Sequence, residues 1–122
     1  MALKIGDKAP DFKLPSFTPS ADLVEISLSS YLGKKNVLIL FFPQAFTGGC
    51  TAEMCTIEES YDEIAGGDTE VLGISVDGTF VQKAFAKQNN IKYPLLSDFN
   101  REVIKNYDVV FENFAHGMKN VS

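Results

Sequence analysis

Two cysteines, Cys50 and Cys55, are the residues whose type and spacing most directly indicate chemistry. They follow an apolar run that ends at Pro43, and a short loop with Thr47 and two glycines separates this proline from Cys50. The pattern predicts that Cys50 begins a helix. Unpaired N–H groups and the dipole at a helix N-terminus lower the pKa of a cysteine from about 8.5 and favour the thiolate. The stretch therefore predicts a reactive thiolate.

The whole chain sets limits on the kind of protein that carries this thiolate. Its 122 residues predict one domain over residues 1–122. A net charge of −5 without a cluster of basic residues argues against a nucleic-acid partner. The longest apolar run, Val37–Phe42, is far shorter than the roughly 20 residues that span a bilayer. The first ten residues contain no apolar signal region. We therefore predict a cytoplasmic protein without a membrane partner. In the reducing cytoplasm, two cysteines close together are more often redox-active than structural.

Apolar periodicity predicts an α/β fold in which strands and helices alternate. The predicted elements after the first thirty residues are strands over Asn36–Phe42, Glu70–Val76 and Tyr93–Leu96, and helices over Cys50–Ala65, Thr79–Asn90 and Asn100–Tyr107. Because Asn36–Phe42 is apolar at nearly every position, we predict it as the central strand, covered on both faces. Functional groups in such folds lie at the carboxyl ends of parallel strands, and the cysteine loop follows one of these ends.

The N-terminal residues predict a hairpin of two strands, Asp11–Phe17 and Leu23–Leu28, with Pro15 placing the first strand at an edge. A capped turn is predicted over Ser29–Gly33, and no regular element over Val109–Ser122. Helical spacing predicts the following buried residues: Met54, Ile57, Tyr61 and Ile64 in the first helix; Phe80, Val81, Ala84 and Phe85 in the second; Val103, Ile104 and Tyr107 in the third.

The string Pro43-x-x-x-Thr47-x-x-Cys50 resembles the active-site motif of the peroxiredoxins, and Glu53 also fits. Further segments resemble the opening and the later core strands of that family: Gly6–Phe12, Leu72–Asp77 and Tyr93–Asp98. The resemblance covers nearly the whole chain. It implies a thioredoxin-like fold with an N-terminal hairpin, and thiol-dependent reduction of hydrogen peroxide or organic hydroperoxides.

The resemblance also implies a role for each motif residue. Cys50 would be the peroxidatic cysteine, Thr47 would hold the peroxide, Pro43 would limit access to the sulfur, and Glu53 would support the site. The reaction needs no cofactor and no metal. A thioredoxin-like or other dithiol protein would reduce the oxidised enzyme, and a homodimer is compatible with the family.

Cys55 is the candidate resolving cysteine, because its spacing from Cys50 resembles the bacterioferritin-comigratory, or Q-type, branch of the family. Five residues of helix separate Cα atoms by about 8–9 Å and turn them about 140° apart. A disulfide needs Cα atoms within about 7 Å. We therefore expect the first turns of this helix to unwind when Cys50 and Cys55 form a bond.

One further member of the family motif is an arginine on a later strand. The resemblance places it just after Lys119–Ser122, and Arg101 aligns with the third helix instead, so the role is not assigned to Arg101. The usual C-terminal strand pair and final helix of the family would also follow Ser122. Three explanations follow: the residues are part of a longer natural chain, another copy closes the fold, or the protein is a natural shortened form. We favour the first.

Simpler interpretations stand beside these. Cys50 could be an inert buried cysteine, Cys55 a small core residue, Thr47 a turn hydroxyl and Glu53 a carboxylate that favours the helix dipole. His116 is the only histidine, and two cysteines with one histidine are too few ligands for the usual four-ligand structural zinc site.

Two other functions remain as alternatives. A truncated, non-catalytic peroxiredoxin-like module could act in binding or assembly, and the absent arginine favours it. A thioredoxin-type reductase would use Cys-x-x-Cys, whereas four residues separate the cysteines here.

Overall fold

The fold alternates strands and helices along the chain. The computed structural model describes residues 3–18, 21–31, 33–42, 56–57, 69–91, 93–113 and 119–121. The strands in this part are β1 (Lys13–Thr18), β2 (Ala21–Ser27), β3 (Asn36–Phe41), β4 (Thr69–Ser75), β5 (Leu95–Ser97), β6 (Phe111–Asn113) and β7 (Lys119–Val121). The helices with described bounds are a 3₁₀ helix (Leu28–Tyr31), α1 (Thr79–Asn89) and α2 (Glu102–Asn106). The predicted α/β class is confirmed.

Five strands form one mixed sheet in the order β2-β1-β5-β4-β3. β3, β4 and β5 run parallel, and β1 runs antiparallel to both β2 and β5. The prediction of Asn36–Phe42 as the central strand is wrong for the described sheet, in which β3 is an edge strand and β4 lies inside. The reason is that an apolar run indicates cover on the faces of a strand, and not its position in the ladder. Accordingly, Val71–Ser75 is buried whereas Val37–Phe41 is half-buried.

The predicted N-terminal hairpin is confirmed, because β1 pairs with β2 from Lys13↔Ser27 onward. The prediction that Pro15 places β1 at an edge is wrong, since β1 lies between β2 and β5. The register between β1 and β5 contains only Ser16 and Phe17 of β1. Pro15 therefore stands outside that ladder, where its missing N–H removes no bond to β5.

The turn predicted over Ser29–Gly33 is present as the 3₁₀ helix, which begins one residue earlier. The backbone N–H of Ser29 donates to Oδ1 of Asp11 at 2.9 Å and thereby ties this turn to the segment before β1. Gly33 follows with φ of +73°, a conformation in which a side chain would be strained.

Alternate residues of β4 enter two cores on opposite faces of the sheet. The α1-face cluster contains Phe42, Val71, Phe85, Ile91, Tyr93 and Leu95. The α2-face cluster contains Phe12, Leu72, Ile74, Leu96, Val103 and Tyr107. Of the helix predicted over Cys50–Ala65, the described residues are Thr56 and Ile57, which have helical backbone, and Ile57 packs against the α1-face cluster.

α1 buries a different set of residues from the predicted one. Phe85 is buried as predicted, whereas Phe80 is 80% exposed, and Val81 and Ala84 are also exposed. Gln82 is only 1% exposed. It lies three residues before Phe85 and so shares its side of the helix. The phase of α1 is thus set by the fit of Phe85 and Gln82 against the sheet, which hydrophobicity alone did not indicate.

α2 buries Val103, Ile104 and the adjoining Tyr107, as predicted. The Asp98 carboxylate accepts the N–H groups of Val103 at 3.2 Å and Ile104 at 2.9 Å. Buried N–H groups at the start of a short helix need such acceptors.

The prediction of no regular element over Val109–Ser122 is wrong, because β6 pairs antiparallel with β7. Val121 of β7 is buried against Val76 and Ile104. Three-residue strands are too short to show an alternating pattern in the sequence. None of the helices in the described ranges is long and apolar enough to cross a membrane.

Candidate active site

The five residues predicted for the site, Pro43, Thr47, Cys50, Glu53 and Cys55, lie outside the described residues. The structure describes the strand end that precedes these residues and the side chains packed around that strand end. We use "cysteine loop" for residues 43–55.

The backbone that enters the cysteine loop is held on both faces of the sheet. The N–H of Phe42 donates to the carbonyl oxygen of Ile74 at 3.1 Å. The Phe42 ring stacks on Phe85, with ring centroids 6.2 Å apart and an interplanar angle of 28°. On the other face the Phe41 ring packs on Tyr107, at a centroid distance of 5.6 Å. Two successive aromatic side chains therefore fix the strand end directly before Pro43.

The carboxyl ends of the three parallel strands meet at the same edge of the sheet. Phe41 of β3 lies beside Ile74 of β4, and Ser75 of β4 lies beside Ser97 of β5. The cysteine loop thus leaves the sheet at the edge where α/β folds bind their ligands. The position predicted for the loop itself concerns residues outside those described.

A buried polar network occupies this edge beside α1. The Ser75 hydroxyl donates to Oδ2 of Asp77 at 2.8 Å. Nε2 of Gln82 donates to Oγ of Ser75 at 2.9 Å and to the carbonyl oxygen of Leu96 at 2.8 Å. The Ser97 hydroxyl donates to the carbonyl oxygen of Asp77 at 2.6 Å. The network joins the ends of β4 and β5 to α1.

One atom of this network, Oε1 of Gln82, is buried and has no hydrogen-bond partner among the residues that the structure describes. A buried acceptor without a donor is unfavourable by about 1–3 kcal/mol.

Sequence reasoning missed Gln82, because a polar residue on a helix is usually solvated. The polar residues that end two apolar strands, Ser75 and Ser97, were the signal that could have indicated a network here.

A second group of polar residues anchors the segment before β1. The Tyr107 hydroxyl donates to the carbonyl oxygen of Pro10 at 2.6 Å. Burial raises the pKa of Tyr107 above its usual value of 10.0, and the nearby Asp11 charge raises it further. The Ser29 N–H holds the pKa of Asp11 below its ordinary value of 3.8. Tyr107 is therefore a protonated structural donor at neutral pH.

Arg101 stands at the N-terminal cap of α2 with φ of 61°. Its Nη1 donates to the carbonyl oxygen of Phe99 at 3.2 Å. This position agrees with leaving the family's arginine role unassigned to Arg101. In the part of the chain that the structure describes, no three His, Cys, Asp or Glu residues are grouped to hold a metal ion.

Comparison with known proteins decides the family. The sequence model of the AhpC/TSA family matches residues 5–121. The chain belongs to this family, the peroxiredoxins. A putative peroxiredoxin bcp of Buchnera aphidicola is 39% identical over 117 residues, which cover 96% of this chain and 71% of that protein. The predicted resemblance to the bacterioferritin-comigratory branch is thereby supported.

Solved peroxiredoxin structures confirm the thioredoxin-like fold. The reduced 2-Cys peroxiredoxin of Plasmodium vivax matches with a TM-score of 0.85 and 32% identity, over 97% of this chain and 73% of that one. Thioredoxin peroxidase I of Plasmodium yoelii matches with a TM-score of 0.80 and 35% identity, over 86% of this chain and 64% of that one. The chain spans about half the length of several curated relatives, with shares of 53%, 43% and 43%.

Proposed function

We propose that this peroxiredoxin is a thiol-dependent peroxidase that reduces hydrogen peroxide or organic hydroperoxides, with Cys50 as the peroxidatic cysteine. The observation that carries the proposal is the string Pro43-x-x-x-Thr47-x-x-Cys50 directly after the anchored end of β3. A reactive cysteine there would begin a helix at the ligand-binding edge of the sheet.

In the proposed reaction the Cys50 thiolate attacks one oxygen of the peroxide O–O bond. The S–O bond forms as the O–O bond breaks, Cys50 is oxidised to a sulfenic acid, and the leaving oxygen takes a proton to give water or an alcohol. Thr47 and the Cys50 N–H would orient the peroxide, Pro43 would shield the sulfur, and Glu53 would support the site.

Cys55 is proposed as the resolving cysteine. Its thiol would condense with the sulfenic acid, releasing water and forming a Cys50–Cys55 disulfide after local unwinding. A dithiol protein would then reduce the disulfide by thiol exchange. A relative described as a thioredoxin peroxidase supports a thioredoxin-type reductant. We further propose a cytoplasmic location, where such reductants keep thiols reduced, and leave a homodimer as a proposal.

The test is peroxide consumption with dithiothreitol as the reductant, measured for the wild-type chain, Cys50→Ser and Cys55→Ser. We expect Cys50→Ser to abolish consumption and Cys55→Ser to retain the first turnover, because its sulfenic acid still forms. A wild-type chain that consumes no peroxide would favour the non-catalytic alternative. Consumption that survives in Cys50→Ser would contradict the assignment of the peroxidatic cysteine.

Resolution by Cys55 has a separate readout. After one equivalent of peroxide, intact mass should show the loss of two hydrogens in the wild-type chain, and circular dichroism should show reduced helix. The Cys55→Ser chain should instead gain one oxygen and keep its helix signal. A disulfide that forms with an unchanged helix signal would contradict local unwinding.

A further inference from the structure

We propose that Gln82 is a positioning residue for the cysteine loop, holding the ends of β4 and β5 beside the end of β3, from which that loop departs. The proposal rests on the proposed function, since it assigns Gln82 to the support of the Cys50 site. Gln82 itself belongs to α1 and lies outside the cysteine loop.

The Gln82 amide joins two neighbouring strands at their carboxyl ends. Its Nε2 donates both to Oγ of Ser75, the last residue of β4, and to the carbonyl oxygen of Leu96 in β5. The backbone continues this link, because the N–H of Asp98 donates to the carbonyl oxygen of Ser75 at 2.8 Å. The Gln82 side chain thereby reinforces the backbone pairing of β4 and β5 at this edge.

The same side of α1 also holds the end of β3. Phe85 lies one helical turn after Gln82 and stacks on Phe42. The Phe42 N–H donates to Ile74, the residue before Ser75. Gln82 and Phe85 therefore fix the ends of β4, β5 and β3 together, and Phe42 is the last residue before the cysteine loop.

The unpartnered oxygen argues that Gln82 is not simply a stabilising residue. Within the described part of the chain no donor reaches its buried Oε1, and a half-satisfied buried polar group is less favourable than an apolar side chain of the same shape. Replacing Gln82 with methionine removes this cost but also removes the donors to Ser75 and Leu96. Because these effects oppose each other, the stability of the fold should change little while the alignment is lost.

The experiment compares Gln82→Met with Gln88→Met, which makes the same substitution at an exposed position of α1. All variants carry Cys55→Ser, so that only Cys50 reacts. We measure the second-order rate constant with hydrogen peroxide, the pH midpoint of Cys50 alkylation by iodoacetamide, and the melting temperature. A substitution far from the reacting atoms that displaces a reacting group by about 1 Å can lower the rate by up to about a hundredfold.

For Gln82→Met we expect a roughly tenfold lower rate constant, a higher pH midpoint of alkylation, and a melting temperature close to that of the parent. Gln88→Met should match the parent in all three measurements. A parent-like rate constant and alkylation midpoint in Gln82→Met would overturn the proposal. A lower melting temperature with unchanged reactivity of the folded protein would also overturn it, because that result describes a purely structural residue.

A second variant keeps the test decisive if Gln82→Met does not fold. Ser75→Ala removes one acceptor of the Gln82 amide at the end of β4, and we expect it to lower the rate constant as Gln82→Met does. An unchanged rate constant and an unchanged alkylation midpoint would contradict a positioning role for Gln82. If the parent consumes no peroxide, the proposed function fails, and the alkylation midpoints alone decide the role of Gln82.

Discussion

The two faces of the five-stranded sheet treat buried polar groups in different ways. On the face of the α2-face cluster two hydroxyl groups donate to backbone carbonyl oxygens: Ser16 to Leu95 at 2.6 Å, and Tyr107 to Pro10 at 2.6 Å. On the α1 face, Gln82, Ser75 and Asp77 are bonded to one another at the edge where the cysteine loop begins.

This difference in bonding indicates that the polar groups of the α2 face mainly stabilise the fold, whereas those of the α1 face also align the strand ends beside the cysteine loop. A polar group with one backbone partner is satisfied locally and can be removed with a local cost. A connected network transmits a displacement from one strand end to the next, and losing one member alters several bonds. We therefore expect changes in the α2-face cluster away from Phe41 to affect unfolding. We expect changes on the α1 face to affect the reactivity of Cys50, with a further loss of stability where apolar contacts are removed, as at Phe85.

Leu72→Ala gives the largest expected change in stability and tests the α2 face. Leu72 is fully buried in the α2-face cluster, and truncating a buried leucine costs about 2–5 kcal/mol through lost contacts and a cavity. We expect this loss in urea unfolding, with peroxide consumption per folded molecule unchanged. A large fall in reactivity of the folded protein would show that the two faces are not separable.

Phe85→Leu tests the α1 face with a smaller expected loss of stability. The substitution removes the ring stack on Phe42 and should cost about 1–2 kcal/mol. Because Phe42 directly precedes the cysteine loop, we also expect the peroxide rate constant of the folded protein to fall roughly threefold or more. Urea unfolding and peroxide consumption measure the two effects separately. An unchanged rate constant would show that Phe85 does not help to position the cysteine loop.

The sequence was sufficient for the features that depend on local pattern. Strand–helix alternation predicted the α/β class, and the hairpin of β1 and β2 was predicted from alternation and turn residues. The burial of Val103, Ile104 and Tyr107 followed from helical spacing, since apolar residues three and four apart share one side of a helix.

The remaining features depend on contacts that a sequence pattern does not contain. The edge position of β3 depends on which strands meet, and β3 is as apolar as an interior strand. The phase of α1 depends on the buried amide of Gln82, whereas Phe80, although apolar, is exposed. The predicted site residues themselves remain predictions, because Pro43–Cys55 lies outside the described residues.

Tyr107→Phe has a smaller expected effect than the two core substitutions and sharpens the description of the α2 face. Losing the bond to Pro10 should cost about 1 kcal/mol at neutral pH. The folded-state pKa of Tyr107 is raised above 10.0, so the folded protein binds this proton more tightly than the unfolded chain. The stability that this provides is complete below pH 10 and declines as the pH rises through the folded-state pKa. The advantage of the wild type over Tyr107→Phe in urea unfolding should therefore be constant from pH 7 to about 9.5 and shrink above pH 10.

Asp11→Asn separates the two causes of the raised Tyr107 pKa. It removes the negative charge near Tyr107 but retains an oxygen that can accept the Ser29 N–H. Since burial is the larger cause and the Asp11 charge the smaller, the Tyr107 pKa should move only part of the way back towards 10.0. The loss of stability occurs between the unfolded-state and folded-state pKa values of Tyr107, so in Asp11→Asn this pH interval should be narrower but still present. Ultraviolet titration of tyrosinate, with Tyr107→Phe as the reference, measures this shift. A complete return to the ordinary pKa would mean that charge dominates, and that the hydroxyl is not desolvated by the packing of the α2 face.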